Sequence, residues 1–178
     1  MQSRSADSYA PAEDTFFLAD HIQNEKGISA LEIGTGSGYL SKILEKNFEL
    51  VVSTDIDFQS LITQDQKTQN GICCTGADAL GAKFDLVVCN LPYLPSEKII
   101  DRTVDGGPEG LEVPLGIIKS ANSCLKPGGK MLYLTSSLAN YEKLIKNTEL
   151  MGFAAEILAK KKLFFEELII VQATKLLS

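Results

Sequence analysis

The sequence predicts an α/β domain: a mainly parallel, seven-stranded sheet with helices on both faces, closed by an antiparallel hairpin. Short apolar runs alternate with amphipathic stretches along the chain, and such alternation implies parallel strands joined by covering helices. The last two apolar runs have no helix between them, so they pair as a hairpin. At 178 residues the whole chain, 1–178, is expected to form a single domain, large enough to bury about 70% of its unfolded surface without staples.

Each element has a local reason. Pro11 to Ile22 reads as a helix, with Pro11 in its first turn, acids after it, and Phe17, Leu18 and Ile22 as an apolar stripe. Residues 1–8 are polar and read as a flexible N-terminus, not a signal peptide. Ser29–Ile33 is a short buried strand, Gly34–Gly38 a turn, and Tyr39–Asn47 a helix with Leu40, Ile43 and Leu44 inward. Leu50–Asp55 is the next strand, followed by a helix from Asp57 to Lys67. Ile72–Thr75 is a weak strand and Phe84–Asn90 a strong one. A long Pro- and Gly-rich loop covers 91–112, and Pro114 opens a helix ending near Leu125. Lys126–Gly129 turns into the strand Lys130–Thr135. Ser137–Met151 is a helix closed by Gly152, and Phe153–Lys161 and Glu166–Ala173 form the hairpin.

Composition excludes several classes. The chain is 44% hydrophobic and 22% charged, with 14 Gly and 6 Pro, which is globular composition. No apolar run reaches the ~18–20 residues of a membrane helix, and the expected location is the cytoplasm. Cys73 and Cys74 are adjacent and Cys89 and Cys124 stand alone, so all four read as reduced core thiols. With one histidine, His21, neither a histidine-based zinc site nor a Ser-His-Asp triad is expected, and no metal is assigned. Residues 1–118 carry 18 acids and 8 bases, whereas 119–178 carry 5 acids and 9 bases. An acidic, glycine-rich first two-thirds argues against nucleic acid as partner. The basic run Lys160–Lys162 reads as a solvated strand end, with contact to phosphate or an acidic partner as the alternative.

Three signals carry chemistry. Glu32-Ile-Gly34-Thr-Gly36-Ser-Gly38 lies between a strand and a helix, where glycines permit positive φ and close approach of a ligand, and the helix N-terminus offers N–H groups to a carboxylate. Tyr39 replaces the third glycine of a dinucleotide fingerprint, and Glu32 suits a ligand with an ammonium and a sulfonium better than a pyrophosphate. Asp55 ends the next strand, where a carboxylate accepts from ribose hydroxyls; Asp78 is a third candidate, for an adenine amino group. Asn90-Leu91-Pro92-Tyr93 follows the strong strand at the sheet's ligand edge. An amide or aryl-amine nitrogen is hard to alkylate because its lone pair is delocalised. Two acceptors, the Asn90 side-chain oxygen and the Leu91 carbonyl, can grip its N–H groups and turn the lone pair toward a methyl donor, while Tyr93 stacks on the flat group. Such a site works mainly by positioning.

With these residues in view, the sequence resembles the HemK-type class I methyltransferases, Rossmann-like S-adenosylmethionine-dependent enzymes that methylate glutamine N5 in peptide-chain release factors. It is most similar to the short eukaryotic/archaeal-type branch. The resemblance runs from Tyr9 to Thr174 and rests on Tyr9-Ala-Pro-Ala-Glu-Asp-Thr15, the glycine turn, Thr54-Asp-Ile56, the strand ending in Asn90–Tyr93, and Gly106-Gly-Pro-Glu-Gly-Leu-Glu112. It implies cofactor contacts from Thr15, Glu32, Gly34, Asp55, Asp78 and Asn90, with S-adenosylhomocysteine as product. It implies a glutamine-binding motif at Asn90, Leu91, Pro92 and Tyr93, where Leu91 stands in place of the family's usual first proline but keeps the carbonyl. The alternatives are a nucleic-acid adenine methyltransferase, since NLPY also occurs in the adenine dimethylases of ribosomal RNA, and a non-catalytic cofactor-binding subunit. Only eight residues, Gly76–Lys83, separate the weak strand from the strong one, too few for a covering helix. The edge Ile72–Thr75 is therefore expected to be covered by something else, and the resemblance implies a small zinc-binding activator protein; a homodimer or a loop of this chain is the alternative.

Overall fold

The apolar runs pair into one sheet. The computed structural model describes residues 11–64 and 68–177, so the expected flexible segment 1–8, Tyr9 of the N-terminal signature, and the helix end at Asp65–Lys67 lie outside the described residues. In chain order the elements are α1 (Glu13–Ile22), β1 (Gly27–Ile33), α2 (Tyr39–Leu44), β2 (Phe48–Asp55), α3 (Phe58–Thr63), β3 (Gly71–Cys73), β4 (Phe84–Asn90), β5 (Leu94–Pro95), β6 (Asp105–Gly107), a 3₁₀ turn (Pro108–Gly110), α4 (Glu112–Cys124), β7 (Leu125–Ser136), α5 (Tyr141–Leu150), β8 (Phe153–Lys162) and β9 (Glu167–Lys175). The main sheet has the order β3-β2-β1-β4-β7-β9-β8. Its pairs are parallel from β3 to β7, and β9 runs antiparallel to both neighbours. The terminal hairpin therefore forms as expected, with β9 inserted between β7 and β8. No described helix is long and apolar enough to cross a membrane.

Period-2 alternation divides the sheet's side chains between two cores. Leu31, Ile33, Val87, Cys89 and Met131 pack with Ile118 of α4 and Leu144 of α5. Ala30, Leu86, Val88, Leu132 and Ile170 pack on the other face with Phe17, Leu18 and Ile22 of α1 and Leu40 and Leu44 of α2. Each such fully buried aliphatic side chain stabilises the fold by about 1.5–3 kcal/mol.

Four expectations need correction. α1 starts at Glu13 with Ala12 as its cap, so Pro11 precedes the helix. α5 starts at Tyr141 because Asn140 caps it by accepting from the Lys143 N–H, while Ser137 ties instead to Glu167 at the base of the hairpin. β7 begins at Leu125: Lys126–Gly129 bulges within the strand, with Gly128 at φ 76° and a register shift opposite Phe84–Leu86. Cys73 is exposed and Cys74 half-buried, so only Cys89 and Cys124 are core thiols; the first two sit on or beside an edge strand. That edge strand is β3, and turns rather than a helix connect it to β4, as its spacing required.

Candidate active site

The carboxyl ends of β1, β2 and β4 open into a cleft of about 610 Å³, a volume typical of small-molecule sites. The glycine turn forms one wall. Gly34, Gly36 and Gly38 have φ of 74°, 45° and 78°, values that favour glycine. The turn is pinned to β2, because Gly34 and Thr35 both donate their N–H to the Thr54 carbonyl, at 2.8 and 3.0 Å. A Cβ built on Gly34 would meet nothing within 4 Å, so this wall faces open space in the cleft. Gly38 caps α2 and shapes the turn without lining the cleft. Gln64 ends α3 with an extended ψ of 130° and donates its side-chain amide to the Gly36 carbonyl at 3.1 Å, which is why the helix stops short.

Two carboxylates face this turn. Asp55 accepts the Gly36 N–H on Oδ2 and the Asp57 N–H on Oδ1, each at 2.9 Å. A carboxylate has about four acceptor positions, so capacity remains on both oxygens toward the cleft. Glu32 is only 2% exposed. Its Oε2 accepts from Thr35 Oγ1 at 2.9 Å and from the Ser41 hydroxyl, itself 2.6 Å from Ser53 Oγ. Burial pushes the Glu32 carboxyl up from 4.5 to about 7; the Ser41 and Thr35 bonds oppose that, and the Asp55 charge adds to it. Burial, with the charges of Glu32 and Asp55, also drives the Cys89 thiol upward, so it stays protonated.

Asn90 closes β4 at the cleft. Its Nδ2 donates to Asp14 Oδ2 at 3.0 Å, whereas its Oδ1 is buried with no hydrogen-bond partner among the described residues. The amide is thus held by its donor end and presents an acceptor, a costly arrangement unless a ligand N–H meets it. Asp14 also accepts the Thr15 N–H on Oδ1 at 2.6 Å, and Thr15 is buried at the cleft wall. In the sequence Asp14 reads only as an acid of a helix's first turn. Its contact with Asn90 spans 76 positions, and its one local signal is its place beside Thr15.

Leu91 is not merely a proline substitute. Its side chain is 2% exposed within the core, and its N–H donates to the Leu134 carbonyl at 3.2 Å. Behind Pro92 and Tyr93 lies the glycine-rich segment 106–112. A Cβ on Gly106 would come within 2.6 Å of the Pro92 carbonyl, and one on Gly110 would strike the Tyr93 carbonyl and Ala139. These glycines let backbone pack on backbone and fix the turn that presents Tyr93. The β5–β6 pair locks the same segment, and Glu109, at φ 57°, is held by Asn140 and Lys143. Tyr93, Pro92, Ile56 and Tyr39 also line the cleft. Asp78 does not: it is exposed in the turn after Thr75, and Thr75 lines the cleft in its place.

A single reversed strand inside an otherwise parallel seven-stranded sheet separates this architecture from nicotinamide-binding sheets and gives the chain the fold of the α/β methyltransferase class. It belongs to the methyltransferase small domain family, whose model matches residues 12–164. A candidate protein N5-glutamine methyltransferase of Methanocaldococcus jannaschii is 32% identical over 181 residues, covering 94% of this chain and 92% of that one. The eRF1 methyltransferase catalytic subunit of Schizosaccharomyces pombe is 26% identical, covering 93% of this chain and 88% of its own. Among solved structures, the Mtq2–Trm112 complex of E. cuniculi, responsible for methylation of the eRF1 translation termination factor, matches with a TM-score of 0.81 at 25% identity, covering 94% of this chain and 98% of that one.

Proposed function

We propose that the chain methylates the side-chain nitrogen of the glutamine in the Gly-Gly-Gln loop of a class I peptide-chain release factor, using S-adenosylmethionine. The carrying observation is Asn90: a buried carboxamide oxygen without a partner, fixed in orientation by Asp14. The activities named for the relatives agree with this reading, which places the protein in the cytoplasm.

The cleft suits the cofactor. Glu32 and the glycine turn would hold its ammonium and carboxylate end, Asp55 its ribose hydroxyls, and Ile56 and Thr15 its flanks. When bound, S-adenosylmethionine would supply an electrophilic methyl group to the acceptor nitrogen's lone pair and leave as S-adenosylhomocysteine, with the surplus proton going to water. Asn90 Oδ1 and the Leu91 carbonyl accept the acceptor's two N–H groups, draw its nitrogen out of conjugation, and aim the lone pair. Tyr93 stacks against the flat amide, and the two flanking glycines of the substrate loop let it enter the cleft with little steric hindrance. Asn90→Ala should abolish transfer to a purified release factor with the fold intact and a much smaller change in cofactor affinity. Near-normal turnover, or preferential labelling of RNA in a parallel assay, would reject the reading.

The β3 edge carries a second part of the proposal: a small zinc-binding activator protein docks there. In support, β3 is a three-residue edge strand with Cys73 exposed, and neighbouring α3 leaves Phe58 and Ile62 57% and 47% exposed. Ile72→Asp should abolish co-purification with the activator and lower activity without altering the glycine turn. A fully active monomer that ignores the activator would reject it.

A further inference from the structure

The hairpin between β8 and β9 ends in a feature that neither core nor cleft uses. Phe164 and Phe165 are 92% and 86% exposed and touch each other edge to face, centroids 4.7 Å apart. Tight turns are served by Gly, Asn, Asp and Ser, so paired phenylalanines at a tip are not a turn requirement. The tip is built firmly. The Leu163 N–H donates to the Glu166 carbonyl at 2.8 Å, Leu163 packs into the core beside α1, and Glu166 accepts from Ser136.

Its position is informative. β8 runs parallel to β7 and β4, so the tip stands at the sheet edge where Asn90–Tyr93 lies. β9 is two strands from β4, which at ~4.8 Å per strand puts the base of the tip about 10 Å along that rim from Asn90. The charge beside it is positive. Glu167 is paired to Lys160 at 3.1 Å, and neither Lys161 nor Lys162 makes an ion pair among the described residues, on a chain of net charge −6. Lys161 lies over the Phe17 ring.

We propose that this tip is a docking knob for the acceptor protein: Phe164 and Phe165 enter an apolar patch on the release factor outside the loop that occupies the cleft, and the exposed Lys162 faces carboxylates around that patch. This rests on the release-factor reading above. Burying two phenylalanines beside complementary charge is the anchor pattern of protein interfaces, and its place on the rim makes the protein entering the cleft the occupant within reach.

The test is steady-state kinetics of the full chain, with its activator if one is required, on an intact release factor and on a short peptide carrying only the Gly-Gly-Gln loop. Phe164→Ser/Phe165→Ser should raise KM for the intact factor at least tenfold, leave kcat near wild type, and leave peptide kinetics and S-adenosylhomocysteine affinity unchanged. Lys162→Glu should raise KM less, with an effect that shrinks as salt is added. An unchanged KM for the factor, or an equal loss on the peptide, overturns the docking role alone. A wild-type dimer in sedimentation that the double variant converts to monomer, with kinetics unaltered, overturns it in favour of self-association. If wild type does not methylate the factor at all, the release-factor reading has failed and this proposal falls with it.

Discussion

Glu32→Gln should make the ligand-free protein more stable above neutrality while weakening its hold on the cofactor. Glu32 is 2% exposed and its carboxyl is raised from 4.5 to about 7, chiefly by burial. The folded state therefore keeps a proton that the unfolded chain releases near pH 4.5. This group's contribution is fully present below pH 4.5, declines as pH rises, and is lost by about pH 7. At 1.36 kcal/mol per pKa unit, the displacement amounts to about 3 kcal/mol. Glutamine retains an oxygen for the Thr35 and Ser41 hydroxyls but has no charge to desolvate. Urea unfolding of wild type and variant at pH 4.5 and pH 8 should show similar stability at the lower pH and a variant advantage of up to about 3 kcal/mol at the higher. Binding a ligand with an ammonium group favours ionised Glu32, so wild-type affinity for S-adenosylhomocysteine should rise with pH through neutrality. Calorimetry near pH 6 in two buffers of different ionisation enthalpy should register proton release. A stability gap that does not change with pH, or binding without proton release, would refute the reasoning.

Asp14→Ala should lower kcat about ten- to a hundredfold, the worth of about 1.5–3 kcal/mol for a charge-assisted hydrogen bond, because Asn90 loses its orienting acceptor. S-adenosylhomocysteine affinity should change far less, and equal losses in both would count against a positioning role. Asp55→Ala frees the Gly36 and Asp57 N–H groups as well as the ribose site, so calorimetry should show binding weakened about ten- to a hundredfold. Leu91→Pro should keep activity but lower the unfolding free energy by about 1–3 kcal/mol, with a lower urea midpoint, because it removes the bond to Leu134 and a fully buried side chain. An unchanged midpoint would show that the site relaxes around proline.

Layer architecture and the places where chemistry gathers are legible along the chain. β4 occupies Phe84–Asn90 as its apolar run dictates, the positive φ values fall at Gly34, Gly36 and Gly38, and the hairpin follows from the missing helix. These are local properties: residue type, periodicity and spacing fix them without reference to distant chain. Tertiary structure alone decided what crosses large separations. It brought Asp14 to Asn90, turned Gly106 and Gly110 into supports for Pro92–Tyr93, drew Gln64 out of α3 onto the glycine turn, and left Asp78 outside the cleft. It also set Cys73 on an uncovered edge and raised Phe164 and Phe165 on the rim of the site. Burial and long-range hydrogen bonding depend on which elements meet, and periodicity does not encode that choice. The same glutamate that reads along the chain as a ligand acid is, once α2 and the glycine turn enclose it on β1, pushed by burial up to about 7.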